Sequence, residues 1–135
     1  HNRKITVYGG NQLRPNIHIK DMVRAYDTFI TAPASQVSGE VFNVGLENHS
    51  VIDLANIVKD VIGTDVTLET KDTNDKRSYH ISSEKIKKIL NFKTNFTIKD
   101  AVYDLKIAFE KNLLLNSLID EKYFNLKRMR SINLK

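Results

Sequence analysis

Arg14 is well suited to bind an anion. A guanidinium group offers a planar fork of donors that matches phosphate oxygens, and it stays charged at any working pH. Arg14 lies in a predicted connection between two short strands, where binding residues tend to occur, and Asn11 and Gln12 before it carry hydrogen-bonding amides. The pattern predicts a ligand-binding arginine. The alternative is a surface arginine paired with an acid.

A second candidate, Arg77, lies in the segment 75–79. This segment holds two cations, an acid and a phenol between a polar loop and a stretch that could be extended. Its arginine has the same donor fork and could make a second phosphate or sugar contact. The alternative is a solvated run of charges, which is the commoner meaning of such a stretch.

Other catalytic or metal-binding patterns are weak. The four histidines, at 1, 18, 49 and 80, lack the spacing of a metal-ligand motif, so each is predicted to be structural. Tyr123 and Lys127 match Y-x-x-x-K, but they lie in a basic tail with no dinucleotide motif before them. The five glycines form neither G-x-x-G-x-x-G nor G-x-G-x-x-G. We therefore expect no catalytic set, NAD site or metal site here.

Composition narrows the class of protein. The chain has 135 residues, no cysteine and a net charge of +5. Without cysteine there is no disulfide or thiol chemistry, which fits a cytoplasmic location. The first residues lead into a strand rather than an apolar segment, which predicts no secretory signal. The basic charge leaves open nucleic acid, an anionic membrane and phosphorylated small molecules, beside simple solubility.

Short strands and helices alternate along the chain. The pattern predicts strands at 5–8, 17–19, 41–45 and 66–70, and helices at 20–32, 51–62, 83–90 and 98–112. Residues 34–39 are predicted as a loop, and further helical turns are predicted at 113–116 and around 123–129. Ser50 with Asp53, and Thr97 with Asp100, have the spacing of capping boxes. Few, short strands of this kind are typical of the smaller lobe of a larger enzyme.

The helix predicted at 20–32 has one apolar stripe, which we expect to face the core. Its members are Met22, Val23, Tyr26, Phe29 and Ile30. Asp21 or Lys20 is expected at the start of the helix, with Asp21 as a structural first-turn acid.

The segment 14–22, R-P-N-I-H-I-K-D-M, resembles the R-x-x-x-H-V-x-D-hydrophobic-A segment of the extended short-chain dehydrogenase/reductases, the NAD-dependent nucleotide-sugar epimerases and dehydratases. Four later stretches resemble other segments of this family in the same order. They lie at 40–45, 50–55, 75–86 and 90–102. The resemblance runs from Ile5 to Asn112 and matches the C-terminal half of such enzymes. Ser82 replaces the usual acid of the late motif, and Asn91 replaces the usual glycine.

The resemblance implies an α/β fold, the C-terminal substrate lobe of a Rossmann-type enzyme without its NAD domain. Residues 1–112 would be the substrate-binding lobe and 113–135 a basic tail. Arg14 and Arg77 would hold the diphosphate of a nucleotide sugar from two sides, with Asn11 and Gln12 near the nucleotide. None of these residues would be catalytic.

The resemblance also implies the partners. NAD or NADP would be bound by an N-terminal half, and the intact enzyme would form a homodimer and act through a 4-keto sugar. This chain alone would be catalytically incomplete, with no nucleic-acid or membrane partner. The alternatives are a basic nucleic-acid-binding module and a non-catalytic interaction domain.

Overall fold

The computed structural model describes residues 2–134, so His1 and Lys135, and the expectations about them, lie outside the described residues. The strands are β1 (Lys4–Tyr8), β2 (Leu13–Asn16), β3 (Glu47–Ser50) and β4 (Thr67–Lys71). The helices are α1 (Ile19–Thr31), α2 (Ala34–Val37), α3 (Val51–Ile62), α4 (Glu84–Leu90), α5 (Ile98–Glu110) and α6 (Asn125–Ser131), with a 3₁₀ turn at Glu121–Tyr123. This order confirms the predicted mixed α/β class.

The chain divides into two compact units within α5. The N-terminal unit runs through Asp104, and the C-terminal unit begins at Leu105. The division falls before residue 112, the predicted end of the substrate lobe. The boundary of that lobe stays a prediction.

Two small sheets form in the N-terminal unit. β1 pairs in parallel with β4, so that Val7 lies opposite Thr70. β2 pairs antiparallel with β3, so that Arg14 lies opposite His49. The strand is at 13–16, so the predicted strand at 17–19 is wrong. Arg14 therefore lies in a strand and not in a connection between strands. The chain turns directly from β2 into α1 because the ring of His18 accepts a hydrogen bond from the Lys20 N–H and caps the helix.

The strand predicted at 41–45 is also wrong. These residues form no β-ladder with another described segment, and Val41 is 79% exposed. A nearly all-apolar strand requires neighbours that cover it, whereas the ladder with β2 is made by the polar residues Glu47–Ser50. Residues 34–37 form the single turn α2 where a loop was predicted.

The capping predictions are confirmed. In α3, the Ser50 hydroxyl accepts from the Asp53 N–H at 3.2 Å, and the Asp53 carboxylate accepts from the Ser50 N–H at 3.3 Å. The same reciprocal pair joins Thr97 and Asp100 before α5, at 3.2 and 2.8 Å. Each pair satisfies two N–H groups that the first turn of a helix leaves without partners.

The buried face of α1 differs from the predicted face. Asp21 and Ala25 are buried, and Phe29 packs against the core formed by Ala25, Ile86 and Phe92. The Asp21 carboxylate accepts from the main-chain N–H groups of Asn95 and Phe96, each at 2.9 Å, and also binds Arg24. An inward-facing carboxylate with these donors fixes the rotation of the helix. The prediction for Val23, Tyr26 and Ile30 is therefore wrong, because these side chains are 60–82% exposed.

The C-terminal unit contains the end of α5, the 3₁₀ turn and α6. Glu121 in the turn accepts from Arg128 at 2.7 Å and from Ser131 at 3.0 Å, which ties the turn to α6. The helical turns predicted near 123–129 are thus present. Among the described residues, no helix is both long and apolar enough to span a membrane.

Candidate anion-binding site

Main-chain carbonyls hold the guanidinium of Arg14. Its Nη1 donates to the carbonyl oxygen of Leu13 at 2.9 Å and to that of Arg77 at 2.7 Å. The carbon at the centre of the guanidinium lies 5.5 Å from the centroid of the Tyr79 ring, and the side chain is 30% exposed. These contacts use one nitrogen of the fork, while Nη2 points toward Asp75 at 3.9 Å.

Strand β2 brings the two predicted arginines together. The N–H of Leu13 donates to the Ser78 hydroxyl at 2.9 Å, and the N–H of Tyr79 donates to the Leu13 carbonyl at 3.1 Å. These bonds lay the segment after Arg77 alongside β2. As a result, Arg14 lies next to Arg77, 63 positions later in the chain.

A carboxylate holds Arg77. Its Nε and Nη2 each donate to one oxygen of Asp75 at 2.8 Å, a bidentate pair, and its main-chain N–H donates to the same carboxylate at 3.1 Å. These bonds hold the pKa of Asp75 well below its usual range, and the carboxylate raises the pKa of Arg77. Both groups are therefore charged at neutral pH. The side chain of Arg77 is 72% exposed.

Asp75 is shared between the two arginines. It binds Arg77 directly and lies 3.9 Å from Arg14, so two cations face one anion. This cluster carries an excess positive charge together with donor forks, which is the chemistry that binds a phosphate or diphosphate. The acid expected under the alternative interpretation of Arg14 is thus present as Asp75, and the large exposure of Arg77 agrees with the alternative interpretation of that residue, a solvated run of charges.

Asn11 and Gln12 line a groove of about 630 Å³ beside this cluster. The amide of Gln12 accepts from the Gly10 N–H at 2.6 Å and donates to the Tyr8 carbonyl at 2.9 Å. It also donates to the Asp75 carbonyl at 3.4 Å. Gln12 therefore ties the glycine turn to the loop 72–78, while its predicted contact with a nucleotide stays a prediction.

Asp75, Lys76 and Ser78 also line the groove. Arg14 and Arg77 do not line the groove itself, but they flank it through Asp75 and Ser78. A second cavity, of about 560 Å³, is lined by residues 44–48, 80–84, 86–87 and 92–94. We place the candidate site at the groove because Asp75, which both arginine forks face, is one of its lining residues.

Two residues of the site had no role in the sequence interpretation. Asp75 and Tyr79 entered it only as neighbours of Arg77, yet Asp75 joins the two arginines and Tyr79 supports Arg14 with its ring. The signal was the spacing D-x-R-x-Y. In an extended segment, residues two apart point to the same side.

His18 and His49 have structural contacts. His18 is buried, caps α1 and lies 4.8 Å from the ring of Phe96, and His49 pairs with Glu47. Across residues 2–134, no three side chains of the types that bind metals are grouped as a metal site would require.

The first third of the chain matches a known family. Residues 1–45 match the model of the NAD dependent epimerase/dehydratase family. The matched segment includes β1, β2 and α1, and with them Asn11, Gln12 and Arg14. No curated protein matches the chain.

Solved structures share the fold. L-threonine dehydrogenase from Phytophthora infestans has a TM-score of 0.72 at 15% identity, covering 82% of this chain and 38% of its own. RMD from Pseudomonas aeruginosa, complexed with NADPH, has a TM-score of 0.67 at 18% identity, covering 83% and 37%. UDP-glucose 4-epimerase from Bifidobacterium longum, in complex with NAD+ and UDP, has a TM-score of 0.64 at 19% identity, covering 81% and 36%. The chain thus has the predicted α/β fold of one part of such Rossmann-type proteins and spans little more than a third of their length.

Proposed function

We propose that this chain belongs to the NAD-dependent epimerase/dehydratase family and binds the diphosphate of a nucleotide sugar in an NAD(P)-dependent epimerase or dehydratase. The observation that carries the proposal is the convergence of Arg14 and Arg77 on Asp75 beside a groove. Both guanidinium groups can donate to the oxygens of a diphosphate, Arg14 through Nη2 and Arg77 in competition with Asp75. Asn11 and Gln12 would then lie near the nucleoside.

The arginines favour a nucleotide sugar over a substrate without phosphate. The structural neighbours include L-threonine dehydrogenases as well as an epimerase with bound UDP, and at these identities they support the fold alone. An amino acid has one carboxylate and would engage a single fork. The two cations around the single carboxylate of Asp75 leave an excess positive charge, which favours a further anionic group.

The residues of this chain do not fit NAD or NADP. A dinucleotide site needs a glycine-rich turn that opens a helix after a strand, and the glycines here, at 9, 10, 39, 45 and 63, have no such spacing. The cofactor would be held by another portion of the enzyme and would supply the hydride chemistry when bound. This chain would contribute substrate binding and orientation, which lower the entropic cost of reaction.

The exposed apolar face of α1 supports the proposal that a separate, cofactor-binding portion of the enzyme contacts this chain. Four apolar side chains at helical spacing are 60–82% exposed on this face: Ile19, Val23, Tyr26 and Ile30. Val41, in the segment 41–45 that forms no β-ladder, is also exposed. Apolar stripes of this kind usually mark surfaces that another body covers. We propose that the NAD(P)-binding portion covers it. A homodimer and a cytoplasmic location remain predictions.

Binding can be tested with the chain itself. We would titrate it with UDP-, dTDP-, GDP- and CDP-sugars, with L-threonine and with a single-stranded oligonucleotide, and follow amide and arginine Nε shifts by NMR. We expect a diphosphate sugar to move signals of Arg14, Arg77 and the loop 72–78, and L-threonine to leave them in place.

An opposite result would favour the alternatives. Salt-dependent binding of the oligonucleotide, with no shift from any nucleotide sugar, would contradict the proposal and support a nucleic-acid module. Absence of binding to every ligand, also after the NAD(P)-binding portion is added, would support a non-catalytic interaction domain.

A further inference from the structure

The C-terminal unit carries most of the net charge of the chain. Residues 105–135 contain seven Lys and Arg against three Asp and Glu, a net +4 out of the +5 of the whole sequence. Each of the three acids pairs with one cation: Glu121 with Arg128, Asp120 with Lys122 and Glu110 with Lys106. The acids therefore offset only part of the positive charge. The N-terminal unit, which holds the anion site, is close to neutral.

The same unit exposes a large number of apolar side chains. Those that are 36–76% exposed are Leu113, Leu115, Leu118, Ile119, Tyr123, Leu126, Met129, Ile132 and Leu134. The family resemblance ends at Asn112, so this surface lies beyond the segments that resemble the substrate lobe. A basic surface with so many exposed leucines and isoleucines is unusual for a face that meets only water.

In α6 and just after it, apolar and basic side chains lie on different parts of the helix surface. Leu126, Met129 and Ile132 recur every third position and lie on one side, and Arg128 and Arg130 lie at the edges of that side. Lys127 lies over the ring of Phe124 at 4.4 Å. Long basic side chains at the edge of an apolar strip can lie along it and reach outward with their charged ends.

We propose that the surface formed by residues 113–134, here called the basic apolar surface, binds an anionic membrane. The apolar side chains would enter the headgroup region, and the Lys and Arg side chains would bind acidic lipids. Nucleic acid would use the cations but would leave the exposed leucines in water. The contact is at the membrane surface and would be an exception, for this unit, to the expectation of no membrane partner. It does not depend on the proposed sugar-nucleotide function.

Vesicle sedimentation tests the proposal with the whole chain. We would compare phosphatidylcholine vesicles with vesicles that also contain phosphatidylserine, at low and high salt. We expect binding to the vesicles with phosphatidylserine, weaker binding at high salt and little binding to phosphatidylcholine alone. Each basic residue near an anionic surface contributes on the order of fivefold in partitioning, so Lys127→Glu with Arg130→Glu should lower it by more than tenfold.

The apolar component needs its own variant. Leu126→Glu with Met129→Glu should abolish vesicle binding, whereas Ile30→Glu, on the exposed face of α1, is the matched control and should leave it unchanged. Circular dichroism would check that each variant is folded, and the salt dependence of the unaltered chain tests the proposal without any variant.

Three outcomes would overturn the proposal. One is the absence of binding to phosphatidylserine vesicles. Another is loss of binding in Ile30→Glu but not in Leu126→Glu with Met129→Glu. The third is oligonucleotide binding that Lys127→Glu with Arg130→Glu abolishes, without vesicle binding, which would identify a nucleic-acid surface instead.

Discussion

Strand β2 and the loop 72–78 each position one arginine of the candidate site, but with different acceptors for its guanidinium group. Arg14 is in strand β2, where two main-chain carbonyls accept from one of its nitrogens and the side chain is 30% exposed. Arg77 is in a loop, where a carboxylate binds its fork in bidentate fashion and the side chain is 72% exposed.

The difference concerns what a bound anion must displace. The two carbonyls leave the charge of Arg14 compensated only by the shared carboxylate of Asp75 at 3.9 Å, and they fix the direction of the guanidinium fork. A phosphate can therefore bind without ordering the side chain first. At Arg77, a phosphate must compete with Asp75 for the same donors. We therefore expect Arg14 to contribute more to affinity than Arg77, and the predictions below test that order.

Arg14→Ala should have the largest effect. It removes a charge-assisted contact worth about 1.5–3 kcal/mol, so the Kd or KM for the nucleotide sugar should rise at least about tenfold. Arg14→Lys keeps the charge but loses the fork and should give an intermediate value. Isothermal titration of the chain, or kinetics of the enzyme with its NAD(P)-binding portion, measures both. An unchanged KM in Arg14→Ala would contradict the assigned role.

Gly9→Ala should come next. Gly9 has a φ of +78°, and an added Cβ would lie 2.5 Å from Gln12 Nε2 and 2.7 Å from Thr73 Cγ2. Gly39 has a φ of +75° with nothing within 4 Å, so Gly39→Ala is a matched control with the backbone strain alone. Both variants should lower the free energy of unfolding by about 1–2 kcal/mol, and only Gly9→Ala should weaken binding. Equal binding by the two variants would show that the Gln12 contact does not shape the groove.

Arg77→Ala should weaken binding less than Arg14→Ala, because its fork is already engaged by Asp75 and is largely solvated. The same titration measures the ratio of the two effects. A loss equal to or larger than that of Arg14→Ala would reverse the proposed order and make the loop arginine the main anion contact.

The smallest effect is expected for the pH dependence of the stability that the Asp75–Arg77 pair contributes. The pKa of Asp75 in the folded chain is below its ordinary value of 3.8, so the stabilisation from its pair with Arg77 is present above that value and is lost as the pH falls below it. The difference in melting temperature between the unaltered chain and Asp75→Asn should be constant from about pH 5 to 8 and shrink below about pH 4. A change in this difference near neutral pH would mean that the pair does not hold Asp75 ionised.

Local signals predicted the parts of the fold that depend on neighbours in sequence. The capping boxes at Ser50 and Thr97 were predicted because their donors and acceptors lie within three residues of each other. The strand predicted at 17–19 is wrong, because the same alternation also occurs where a histidine caps a helix. Likewise, an apolar run such as 41–45 does not reveal whether another strand is present to pair with it.

The candidate site shows the same division. The sequence by itself determined that two arginines with phosphate-binding forks exist, that glycine and amide residues precede the first, and that no dinucleotide turn accompanies them. Only the tertiary structure decided that Arg14 contacts the main chain of Arg77, that Asp75 lies between both forks, and that α1 turns Asp21 inward and its apolar stripe outward. These arrangements depend on contacts between residues more than sixty positions apart, and local pattern carries no information about which distant donor will meet which acceptor.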